Sequence, residues 1–64
     1  MGTAKRIRKG EYKYRGYKIL CHGYYEPEQR VVWEGIDEDT GEAVAHGYTK
    51  KDIMIAIDNF SSNA

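Results

Sequence analysis

The apolar residues of this chain change their period once, and that change limits what it can fold into. Over residues 12–21, aromatic and aliphatic side chains interleave with basic ones at roughly period two, the pattern of a half-buried strand. Further along, Ile53, Ala56, Ile57 and Phe60 recur at i, i+3, i+4 and i+7, which is one face of a helix. Between these segments, residues 30–37 bring Val31, Val32, Trp33 and Ile36 to a second strand, and residues 42–48 form a short third. Short links between the strands predict an antiparallel meander, and the helix must cover one of its faces. The expected fold is α+β: a three-stranded antiparallel sheet packed on one helix, in the order β-β-β-α.

The faces follow from alternation. Val31, Trp33 and Gly35 carry no charge and are placed beneath the helix with Tyr17, Ile19 and Cys21. Tyr12, Tyr14, Lys18, Leu20, His22, Val32, Glu34 and Ile36 then share the opposite face. The expected core is Trp33, Ile53, Ile57 and Phe60. Gly16, inside the first strand, predicts a bulge or a close backbone approach. Pro27 makes residues 23–29 a loop. Residues 37–42 read as a turn, with Gly41 at positive φ and Asp39 forming a local side-chain turn. Thr49 and Asp52 have the spacing of a capping box, with aspartate in place of glutamate.

The chain has 64 residues, enough for one domain. A domain this small buries only about 60% of its unfolded surface, so its stability margin is thin. A lone cysteine, Cys21, cannot form an intrachain disulfide and fits a reducing compartment. No apolar run approaches a membrane span, and the basic start leads into Gly10-Glu11-Tyr12-Lys13 rather than a signal-like apolar stretch. The expectation is a cytoplasmic protein, monomeric or weakly dimeric. Residues 1–10 read as a flexible basic arm, 11–61 as the domain and 62–64 as a frayed tail.

Charge is segregated. The formal net charge is zero, but residues 1–22 sum to +6 and residues 23–64 to −6. That asymmetry concerns partners rather than fold. Lys5, Arg6, Arg8, Lys9, Arg15 and Lys18 can neutralise phosphates, and the ring of Tyr14 can stack on a base, so these seven residues form a candidate nucleic-acid surface. A protein interface is the alternative. Angular position sets Ile55 nearly opposite the buried helix face with Met54 at its border, and Glu34, Asp37 and Asp39 offer acid to a basic partner.

Catalytic and metal sites are harder to build from these residues. Cys21 and His22 are adjacent on a strand and point to opposite faces, so with His46 they fall short of a zinc ligand set. Asp37, Asp39 and Gly41 lack the glycine and glutamate offsets of a calcium loop. No nucleophile, base and orienting group come together in the pattern. The reading is a binding module without enzyme activity, cofactor or metal.

Several positions carry a resemblance: the basic start, Tyr14-Arg15-Gly16-Tyr17, Trp33, Thr40-Gly41 and Ala56-Ile57-Asp58. On these the chain resembles small three-strands-plus-helix DNA-binding domains, of the integrase arm-binding and plant ethylene-response types. The resemblance implies a sheet laid in the major groove with arginines along strands two and three. Here those strands carry Glu34, Asp37 and Glu42, with Arg30 alone. In length and pattern the chain is also similar to short accessory proteins of phages and mobile elements, some of which inhibit host proteins, including CRISPR effectors. That resemblance implies a protein partner.

Overall fold

A computed structural model describes residues 3–62. Five strands form one antiparallel sheet in sequence order: β1 (Lys5–Arg8), β2 (Glu11–Tyr14), β3 (Tyr17–Tyr25), β4 (Arg30–Asp37) and β5 (Ala43–Gly47). One helix follows, α1 (Lys50–Ser62). The α+β class and the antiparallel meander agree with the sequence reading. The strand count does not: there are five strands where three were expected.

Both extra strands come from tight turns. The segment read as one strand over 12–21 is a hairpin, with Tyr14 opposite Tyr17 and Tyr12 opposite Ile19. Arg15 and Gly16 make the turn with φ of 52° and 82°. Two positive φ values give the primed turn whose twist matches that of the strands it joins. The basic start is likewise a strand rather than an arm: Lys5 pairs with Lys13 and Arg6 with Tyr12. Gly10, at φ 81°, turns the chain, and an Arg8–Glu11 ion pair at 2.9 Å closes that turn. The lysine and arginine content that reads as disorder is also what an edge strand carries to block pairing with other chains. Met1, Gly2, Asn63 and Ala64, parts of the expected arm and tail, lie outside the described residues.

The first hairpin changes the face assignment. Folding back at Arg15-Gly16 puts Tyr12 and Tyr14 on the same side as Tyr17 and Ile19, under the helix rather than opposite it. Trp33 and Gly35 are on that side as expected. A β-carbon on Gly35 would lie 2.9 Å from Ile53 Cγ2 and 3.1 Å from Ala45 Cβ, so only glycine lets the helix approach here. Tyr14, Ile19, Ile53, Met54 and Ile57 form the core, with Ala4, Tyr12, Tyr17, Trp33 and Ala45 packed around it.

The helix starts as its sequence predicts. The Asp52 N–H donates to Thr49 Oγ1 at 3.1 Å, while Asp52 Oδ2 accepts from the Tyr48 N–H at 3.2 Å. The second bond reaches one residue further back than in the usual box. Its buried stripe, however, is rotated from the expected one. Met54 is buried, and Phe60 is 42% exposed, lying beside Tyr17 with ring centroids 6.3 Å apart. The cause is the added hairpin. The Tyr14 hydroxyl donates to Asp58 Oδ1 at 2.7 Å and the Lys50 ammonium sits 4.3 Å from the Tyr12 ring centroid. These contacts draw the 50/54/58 row over β2. In the turn before β5, Gly41 has φ 75° as expected, but Asp37 rather than Asp39 makes the side-chain turn, accepting the Asp39 N–H at 2.8 Å.

Candidate functional site

The second face of the sheet has no helix over it. Among the described residues, the buried hydrophobic side chain on this face is Val32, 2% exposed. Beside Val32 runs the β3–β4 connection, whose Glu28 lines the same cavity. Glu26–Glu28 form a single 3-10 turn, started by Pro27 and ended by Gln29 at φ 55°. A bulge before it leaves His22 as the extra residue between Cys21, opposite Trp33, and Gly23, opposite Val32. Bulges re-aim side chains, and this one sets His22 beside β4.

The result is an open cavity of about 310 Å³ lined by His22, Tyr25, Glu28, Val32, Glu34 and His46. His22 Nδ1 is 3.3 Å from Glu34 Oε1, and His46 Nε2 is 3.9 Å from Glu28 Oε2. Glu34 and His46 are direct cross-strand partners. The Tyr25 ring meets His22 edge-on at 6.2 Å. At the rim, the Tyr48 hydroxyl donates to Glu28 Oε1 at 2.9 Å, and the Arg30 guanidinium stacks 3.6 Å from the Tyr48 ring centroid. The Glu28 carboxylate raises the Tyr48 pKa above its usual 10, by accepting the hydroxyl and by its charge, while Arg30 opposes it. Beyond the rim, Tyr24 is 64% exposed and Val31 opposite it is exposed as well.

The expected nucleic-acid residues divide into three groups. Lys5, Arg6 and Lys9 are exposed and make no ion pair among the described residues. Arg8 and Lys18 both meet Glu11, and Arg15 Nε lies 3.2 Å from Asp58 Oδ1. Tyr14 is 3% exposed, so its ring has no face to offer a base; the hairpin that places it in the core overturns the stacking role. Of the expected protein-interface residues, Ile55 is exposed, Met54 is buried and so withdrawn, Glu34 lines the cavity, and Asp37 and Asp39 sit in the turn before β5.

Sequence reasoning missed His22, Tyr25, Glu28, Arg30, His46 and Tyr48 as one cluster. The available signal was the pair Tyr24-Tyr25 beside Pro27, since adjacent tyrosines at a turn are costly to leave in water without a use. Among the described residues no three His, Cys, Asp or Glu side chains converge as a metal site, and no helix is long and apolar enough to cross a membrane. The chain matches no known family model, no curated protein and no solved structure.

Proposed function

We propose that this chain is a protein-binding module whose working surface is the open end of the sheet. The observation that carries the reading is the aromatic and basic content of that end: Tyr25, Arg30 and Tyr48 stand at an acid-lined cavity, and Tyr24 and Val31 are exposed on the other face of the same end. Tyrosine and arginine are the residue types enriched where interfaces concentrate their binding energy. The Tyr48 ring is already held by Glu28 and stacked Arg30, and the Tyr25 ring rests against His22, which lowers the ordering cost of docking. The acids at the rim favour a basic partner.

A photo-crosslinking side chain at position 24 tests this in cells expressing the full chain, with a second one at position 9 for comparison. Crosslinks to protein from position 24, unchanged by nuclease, are expected. If position 24 captures nothing and position 9 gives nuclease-sensitive products, the reading fails.

Those products would favour a second reading, a polyanion contact through β1. Its support is the set Lys5, Arg6 and Lys9, the cations of the basic half left without an acid or ring partner. Three neutralised phosphates on duplex DNA give a log K against log salt slope of about −2.7.

A further inference from the structure

We infer that the acid-lined cavity docks the basic edge of a second copy of this chain, a contact that rests on the open end being a binding surface. Sorting the charges by partner leads to this occupant. Lys5, Arg6 and Lys9 stand on β1 and its turn and make no ion pair among the described residues. Around the cavity, the ion pairs of Glu28 and Glu34 among the described residues are with histidines, and Glu26 makes none. Lys5, Arg6 and Lys9 stand at the β1 edge of the sheet, and the cavity acids stand on β4 and the β3–β4 connection. In the strand order β1 to β5, β1 is three strands from β4, roughly 14 Å at the usual spacing. A single copy cannot bring them together; two copies can.

The cavity chemistry suits a lysine or arginine head. Val32 forms an apolar floor, Tyr25 an aromatic wall, and two carboxylates stand at the sides. Arg30 on Tyr48, beside Glu28, shows a ring at the rim of this cavity taking a guanidinium within the chain. A formal net charge of zero leaves no overall repulsion between copies. β1 also carries exposed Ile7, so the contact includes apolar surface beside its charges.

The test is a charge exchange read by sedimentation. One variant carries Lys5→Glu, Arg6→Glu and Lys9→Glu; the other carries Glu26→Lys and Glu28→Lys. All five positions are exposed, and circular dichroism confirms that each variant folds. Wild type should gain mass with concentration at low salt and return to monomer in about 1 M salt, where the screening length is ~3 Å. Each variant alone should remain monomeric, and their equimolar mixture should associate again. A wild type that stays monomeric at low salt overturns the inference, as does a mixture that fails to associate. Crosslinks from position 24 to other proteins are a separate readout, so the binding surface survives such a failure.

Discussion

Two tyrosine hydroxyls in this molecule donate to carboxylates, on opposite sides of the same sheet. Tyr14 reaches Asp58 at 2.7 Å beneath the helix, and Tyr48 reaches Glu28 at 2.9 Å at the open end. The chemistry is alike and the surroundings are not. Tyr14 sits among Ile19, Ile53, Met54 and Ile57, and its bond ties β2 to Asp58 on α1. Tyr48 lies in solvent, and its bond holds a ring for Arg30 to stack on. One face of the sheet therefore holds the packing that stabilises the fold. The other is free to carry paired charges, an open cavity and exposed rings.

The strongest way to break this comparison is to cut the covered face. Ile53 is fully buried and touches both the Gly35 row and the core. Ile53→Ala should cost about 3 kcal/mol, within the range for buried isoleucine. For a domain this small, each kcal/mol lowers the melting point by about 4–8 °C. Glu34→Gln, on the open face, should stay within about 1 kcal/mol, as for a half-exposed pair. Phe60→Ala should also cost far less than Ile53→Ala, because its ring is half in water. Thermal melts that rank the open-face variant with Ile53→Ala would place the structural core on both faces.

The covered face was partly legible in the sequence and the open face was not, for physical reasons. The cap at Thr49–Asp52 and the glycine at 41 are local devices with local spacing, so reading them required no tertiary knowledge. Tyr17, Ile19, Trp33 and Gly35 fell on the correct side because alternation within one strand is reliable. The Arg15-Gly16 turn was hidden because arginine rarely takes a left-handed φ; Asn-Gly would have announced it. Missing that turn set Tyr12 and Tyr14 on the wrong face and left the helix rotation unconstrained. The cavity depends on one extra residue, His22, in a long-range pairing. Nothing local to His22 specifies that bulge.

A finer comparison removes each hydroxyl in turn. Tyr14→Phe should cost about 1.5 kcal/mol, since a part-buried bond to a charged acceptor contributes more than a neutral one. Tyr48→Phe should fall within about 0.5 kcal/mol, as for an exposed surface change. Denaturant melts measure both. Equal effects would mean that burial does not separate the two bonds.

The smallest effect is in titration. The Glu28 carboxylate accepts the Tyr48 hydroxyl and repels the phenolate, so the folded pKa lies above the ordinary 10. A raised folded pKa stabilises the fold below the unfolded value, and that stabilisation is lost as pH climbs through the folded value. The window is therefore alkaline, above pH 10, and stability near neutrality should not change through this group. Subtracting the tyrosinate absorbance of Tyr48→Phe from that of wild type isolates the one ring. Its midpoint should exceed 10, fall back toward 10 in Glu28→Ala, and rise in Arg30→Ala, because the guanidinium over the ring favours the anion. A midpoint indifferent to Glu28→Ala would mean that the rim is not held by this bond. The rigid aromatic wall on which the binding surface depends would then need another cause.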